Sequence, residues 1–418
     1  MAEPSVRWQD DRGDVSAPIA GESNVYAAAE RGLVAYDPAE GDVVWEAETA
    51  VDEAPSVAYG RGCVLCSADT ADDRHASRLR LFTAEDGVER WSITIDGTLP
   101  TTEVAFLDAD AIAAVVFDAD AGRSIQAFDV ASGDRMSWVP IADATKVRMA
   151  GETIRGTADD LVFAAPDTES LVAIDVTAGE RVWEYGGSPG DPPPFAAAPT
   201  FDTAADRVFV GSATGLDVLR RATGEVVASD PDGERRPATR VAGGPGSVYV
   251  AMDGRHGNGP DDPARLTAYD AHGNREWETT LRPPETVRSL AACDDDTVLL
   301  QTYDGDARQT SLRSVDAAGG TVNWTVTDDD RATLVSRFAH DATRRRPGDG
   351  LSLLTESHGG LVGVVDGEKA WRTTDEWTGL HEQRLATVGE AAFVATDDGV
   401  LHALERPGLA SRVRSRFG

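Results

Sequence analysis

Lysine is nearly missing from this 418-residue chain: only Lys146 and Lys369 occur, so almost all of its 39 basic residues are arginines. They face 72 acidic residues, which leaves a net charge of -33. A surface of that sign repels phosphate and carries no basic footprint, so nucleic acid is excluded as the expected partner. Cysteine is equally scarce, with three in all, Cys63, Cys66 and Cys293. Cys63-Val64-Leu65-Cys66 has the C-x-x-C spacing of redox pairs and zinc sites, but residues three apart on a strand face opposite sides and no second pair exists. All three are read as small apolar core residues.

Long apolar runs are absent too, and Met1 to Trp8 contain neither a basic region nor an apolar core. The chain as given is therefore expected to be cytoplasmic with no membrane span, or extracytoplasmic if a signal segment precedes it. Enzyme signatures are missing in the same way. The histidines, His75, His256, His272, His340, His358, His381 and His402, scatter without metal-ligand spacing, and neither a G-x-S-x-G nor a phosphate-binding loop occurs.

What is present is a repeat. Aromatic residues make up only 6% of the chain, yet it holds nine tryptophans. Eight of them, Trp8, Trp45, Trp91, Trp138, Trp183, Trp277, Trp324 and Trp371, recur at a period of about 46 residues, with Ala228 filling the one gap. The clearest copies are LVAYDPAEGDVVW ending at Trp45, LVAIDVTAGERVW ending at Trp183 and LTAYDAHGNREW ending at Trp277. Each reads as strand, turn, strand. The turn glycines Gly41, Gly87, Gly133, Gly179, Gly224 and Gly320 are expected to supply a positive φ. Gly273 sits one residue early and Gly367 lies in a shortened turn. Upstream of each motif lies another strand-like run, such as Asn24 to Ala28 or Ser247 to Ala251, and a shorter apolar segment before that. Four short strands per period predict an all-β propeller of four-stranded blades.

Motifs end near 45, 91, 138, 183, 228, 277, 324 and 371, and residues 390–405 begin one more unit without finishing it. Residues 1–10, around Trp8, supply an outermost strand with nothing before it. They are expected to complete that C-terminal blade and close the ring, which would remove free sheet edges. Residues 1–418 then form a single domain. Eight blades are favoured, while the repeat count permits nine.

At these residues the chain resembles the PQQ-like β-propeller repeat family, whose units show A-x-D-x-x-T-G-x-x-x-W. Ala173 to Trp183 match this pattern except at Ala178, which stands where the family has threonine. The resemblance covers nearly the whole chain and implies an eight-bladed propeller. It implies no single activity, because the family includes quinoprotein alcohol dehydrogenases, the lipoprotein subunit of the bacterial outer-membrane assembly machinery and many archaeal proteins. In the dehydrogenases, the resemblance implies, the quinone is clamped by a disulfide of adjacent cysteines and a tryptophan, beside a calcium ion and a catalytic aspartate. This chain has no adjacent cysteines, and only Trp377 lies outside the repeat. Neither pyrroloquinoline quinone nor calcium is expected. Asp118 to Gly122 and Asp230 to Glu234 resemble fragments of oxygen-ligand loops but do not continue into a twelve-residue calcium pattern. The acid-rich, lysine-poor composition is similar to that of proteins from salt-loving archaea.

Three insertions interrupt the repeat: Gly187 to Pro194, Gly254 to Asp262, and Arg344 to Gly350. Insertions in repeat proteins often map to one binding face. Arg344, Arg345 and Arg346 stand out against the acidic background and, with Trp377, are the candidate partner contacts. The expected function is a non-enzymatic scaffold that binds a protein or peptide on one face of the ring. A quinone-dependent dehydrogenase and an extracytoplasmic assembly or sensor domain are the alternatives.

Overall fold

A computed structural model describes residues 3–405 apart from 13–14, 16–17, 30–31, 49–55, 71–72, 100–103, 108–109, 119–121, 143–153, 159–160, 165–169, 187–198, 203–205, 213–214, 230–237, 245, 253–262, 283–284, 293–295, 329–332, 335–350, 356–359, 366, 374–384, 389–390 and 397–398. The described residues are all-β, with many four-stranded antiparallel sheets, consistent with a β-propeller.

Eight of these sheets follow the chain in simple order. The first comprises Ile19–Ala20, Val25–Ala29, Gly32–Tyr36 and Val43–Glu48; the second Ser56–Gly60, Cys63–Thr70, Asp73–Thr83 and Glu89–Asp96. The third holds Val104–Phe106, Ala111–Asp118, Gly122–Asp129 and Arg135–Ala142, and the fourth Ile154–Ala158, Leu161–Ala164, Leu171–Asp175 and Glu180–Tyr185. Thr200–Asp202, Arg207–Ser212, Gly215–Arg220 and Val226–Ser229 make the fifth; Ala238–Gly244, Ser247–Met252, Arg265–Asp270 and Arg275–Thr280 the sixth. The seventh runs from Glu285–Ala292 through Thr297–Asp304 and Gln309–Asp316 to Val322–Asp328; the eighth from Thr333–Leu334 through Leu351–Thr355 and Leu361–Val365 to Glu368–Arg372.

A further sheet joins Leu385–Val388, Ala391–Ala395 and Leu401–Glu405 to Ser5–Asp10 from the other end of the sequence. Ser5 pairs with Glu405 and Asp10 with Leu401. The described sheets thus number nine, one more than the favoured eight. Eight motif ends plus the C-terminal unit that the strand around Trp8 completes account for this number, whereas eight was what the family resemblance implied.

Burial explains the sequence pattern. Central strands such as Val25–Ala29, Leu361–Val365 and Ala391–Ala395 are buried at every position, as a strand packed on both faces must be. Outermost strands are instead mostly exposed, as in Val43–Glu48, where Trp45 is buried and Ala47 half-buried. Each apolar cluster draws on two successive sheets. Tyr26 and Trp45 of the first meet Val64 and Phe82 of the second, and Phe163 and Trp183 of the fourth meet Val208 and Leu219 of the fifth. The last sheet meets the first in the same way, through Phe393, Leu401, Val25 and Tyr36. The first strands of most sheets touch their counterparts in the next, and Ile19–Ala20 also touches Leu385–Val388, so the first strand of each sheet is the innermost.

In such a meander the first-to-second and third-to-fourth connections leave at one end of the strands. The second-to-third connections and those leading to the next sheet leave at the other. Segments 187–198, 253–262 and 374–384 are anchored at this second end, whereas 335–350 is anchored at the first. The three insertions are therefore not anchored on one face. Arg344, Arg345, Arg346 and Trp377 themselves lie outside the described residues.

Candidate functional site

The repeat's aspartates and tryptophans make one recurring device. At the first copy the Asp37 carboxylate accepts hydrogen bonds from the amides of Ala39 and Glu40, both at 2.8 Å, and the Gly41 amide closes the turn on the Asp37 carbonyl at 2.9 Å. Asp129 does the same for Ala131 and Ser132, Asp175 for Ala178, Asp270 for His272 and Asn274, and Asp316 for Gly319. These carboxylates are side-chain caps of the turn. The Ser132 amide and hydroxyl hold the Asp129 carboxyl below its usual range, since both bonds favour the ionised form. The chain then turns through a glycine at φ +78° in Gly41, +69° in Gly87 and +77° in Gly133.

That glycine is where the preceding sheet docks. Trp45 of the first sheet lies on Gly87, so that a Cβ there would fall 2.6 Å from the indole, and its Nε1–H donates to the Ala84 carbonyl at 2.9 Å. Trp91 repeats this on Gly133 with a bond to Val130, Trp183 on Gly224 with a bond to Arg221, and Trp277 on Gly320 with a bond to Ala317. In each case the acceptor is the carbonyl that begins the next turn. Trp8 joins the series, lying on Gly41, donating to Pro38 at 3.3 Å and stacking on Tyr36 at 5.5 Å. Arg7, the bulged residue beside it, lies 3.5 Å from the buried Glu405 carboxylate.

Three sheets depart from the pattern. Trp138 does not lie on Gly179: Ser137 occupies the register that tryptophan holds elsewhere, opposite Ala127, with its Cβ 3.1 Å from where a Cβ on Gly179 would stand. Trp138 is one residue out of phase and 46% exposed, flanked by the exposed Met136, so its assignment as a packing tryptophan is corrected. Four residues separate Gly133 from Ser137, as they separate Gly87 from Trp91, and that count marks the slip. Ala228 leaves room that the next turn takes up, Gly273 coming against Val218 and Ala228. Trp371 is wholly buried between the eighth and ninth sheets, and its indole nitrogen has no hydrogen-bond partner among the described residues.

Two further polar groups are built into the interior. Asp217, buried in the fifth sheet, accepts from the Tyr185 hydroxyl of the fourth sheet and from the Ser229 hydroxyl, each at 2.6 Å. Glu285 and Arg313 form a buried ion pair at 2.7 Å, with a second guanidinium nitrogen of Arg313 on the Thr302 hydroxyl. Sequence reasoning missed both, because neither group belongs to the repeat. Cys63 and Cys66 are free thiols in different clusters, Cys63 toward the third sheet and Cys66 toward the first. Burial pushes the Cys66 thiol up to about 12. Cys293 lies outside the described residues. Among the described residues no group of three or more potential metal ligands comes together, and no helix is long and apolar enough to cross a membrane.

Stacked four-stranded sheets, an indole-on-glycine lock and aspartate-capped turns define a PQQ-like repeat propeller. The family model described as outer membrane protein assembly factor BamB matches residues 4–158, 152–248 and 232–374, and the chain belongs to that family. No curated protein sequence matches it. Among solved structures, BamB from Moraxella catarrhalis aligns with a TM-score of 0.50 at 16% identity, over 84% of this chain and 96% of that one. The computationally designed Ika8 protein aligns at 0.51 and 13% identity, over 97% and 100%. Quinohemoprotein alcohol dehydrogenase from Comamonas testosteroni aligns at 0.44 and 15% identity, over 96% and 76%. At these identities the likeness is one of fold.

Proposed function

We propose that this protein is a non-enzymatic scaffold: a closed ring of nine blades that holds a protein or peptide partner on a preorganised surface. The observation that carries this reading is where the repeat's chemistry is spent. Its aspartates cap turns and most of its repeat tryptophans clamp the next sheet, so the groups that recur around the ring build a rigid frame. Rigid loops and walls bind with little ordering cost. Closure is supported by the pairing of Ser5–Asp10 with Leu401–Glu405 and by the cluster the last sheet shares with the first. Membership of the BamB-described family favours a protein partner in an assembly.

The net charge of -33 supports a second element, a hydrated acidic shell of haloarchaeal type that keeps the ring soluble in concentrated salt. On this reading the protein works in a salt-rich cytoplasm, or outside the membrane if a signal segment precedes the sequence. Affinity capture in high-salt lysate should recover one partner reproducibly in stoichiometric yield; recovery of none counts against the scaffold. Incubation with pyrroloquinoline quinone and calcium is the opposing arm. Quinone absorbance that survives gel filtration would make the dehydrogenase reading the better one.

A further inference from the structure

The innermost strands carry the opposite charge balance from the rest of the chain. Among the innermost-strand side chains that are described stand two arginines, Arg240 and Arg288, against one acid, Glu285. Glu285 is already neutralised by Arg313 at 2.7 Å. The whole protein, by contrast, has 72 acids to 39 bases. Three innermost strands are also irregular where the others pair in plain register. Bulges fall between Ile154 and Gly156, between Ala238 and Arg240, and between Val287 and Ser289. A bulge re-aims a side chain and is over-represented beside functional sites.

The sixth and seventh sheets show what the bulges hold. Arg288, the extra residue of its strand, is exposed, and its guanidinium sits 5.2 Å from the centre of the Tyr303 ring. It has no carboxylate partner among the described residues. Arg240 crosses from the neighbouring innermost strand, donating from Nε to the Arg288 carbonyl at 2.8 Å and from a second nitrogen to the Thr239 carbonyl at 2.5 Å. The backbone that presents Arg288 is thus pinned from the next sheet. A guanidinium stacked on an aromatic face keeps its N–H edge for a bidentate carboxylate.

We propose that Arg288 on this inner wall anchors a carboxylate of an acidic peptide segment inserted into the ring, with Arg240 as the positioning residue. The inference rests on the scaffold reading and names the chemistry of its partner. The overall negative field opposes such a segment at low ionic strength. At about 1 M salt the screening length falls to about 3 Å, which removes that repulsion and leaves contact-range bonds.

The test is fluorescence anisotropy of a fluorescein-labelled oligoglutamate peptide titrated with the full chain in about 1 M KCl. Saturable binding is expected, weakened at least about tenfold by Arg288→Gln, the loss of one charged bidentate contact. Arg288→Lys should lose less, Arg240→Gln should weaken binding with Arg288 intact, and Arg275→Gln on an outermost strand should change nothing. Thermal melting of each variant checks its fold. Absence of saturable binding, or equal affinity for Arg288→Gln and the parent, overturns the proposal. Lysate capture with Arg288→Gln separates the two readings. A partner retained at parental yield leaves the scaffold standing and removes the inner-wall site. Arginine-dependent peptide binding with no partner recovered keeps the site and removes the scaffold.

Discussion

The indole N–H of Trp45 reaches the carbonyl of Ala84 in the next sheet at 2.9 Å, while its ring occupies the space a side chain on Gly87 would need. Gly87 and Gly62 share nearly the same backbone angle, φ +69° and +67°, but nothing lies within 4 Å of a Cβ on Gly62. Gly62→Ala should therefore cost only the left-handed strain, about 1–2 kcal/mol. Gly87→Ala adds overpacking of about 1–3 kcal/mol on top. Denaturant unfolding of the two variants checks this, and equal losses would mean that the indole contact is loose.

Trp138 separates packing tryptophans from the exposed one. Trp138→Ser should change stability by no more than about 0.5 kcal/mol, as exposed substitutions do. It should also remove a component of the emission that acrylamide quenches readily. Trp91→Ala empties a buried site and should cost about 3–5 kcal/mol.

The turn carboxylates give acid sensitivity of a definite sign. The folded protein holds the Asp129 carboxyl below its ordinary value through the bonds it accepts from the Ser132 amide and hydroxyl. A depressed carboxyl contributes stability above the unfolded value, and that contribution is lost as pH falls through the folded one. The melting temperature should therefore decline as pH drops below about 4. Asp129→Asn, which does not titrate, should make the decline shallower in a thermal melt series.

Cys66, raised to about 12 by burial, and the buried Cys63 are shielded thiols. At pH about 8 iodoacetamide should leave both unlabelled in the native protein and modify both after unfolding, as read by peptide mass spectrometry. Native labelling at Cys66 would show that the first and second sheets part readily.

Much of the frame was legible in the sequence because its two signals are local. A tryptophan four residues after a turn glycine marks the outer half of most sheets, and at Gly41, Gly179 and Gly320 an aspartate four residues before the glycine marks it as well. The slip at Ser137 and Trp138 was harder to read, since adjacent residues differ only in which side of a bulged strand they reach. Innermost strands as short as Ile19–Ala20 or Thr333–Leu334 carry too few residues for alternation to mark them. The bulges beside Arg240 and at Arg288 are register shifts against the next strand of the same sheet, and no spacing announces them. Asp217 and Tyr185 meet only because the fourth and fifth sheets stack.

The indole locks run in one direction, each gripping the sheet that follows. For Trp45 the acceptor lies 39 residues downstream, and for Trp277 it lies 40. During synthesis a newly formed sheet would hold its ring uncovered until roughly one more repeat has left the ribosome, at about 5–20 residues per second. The strand around Trp8 has a different timetable. Its own ring finds Gly41 early, but the backbone edge it must pair with arrives with the last repeat. A chaperone that shields this first strand would therefore matter more to the yield of assembled protein than one acting on any later repeat.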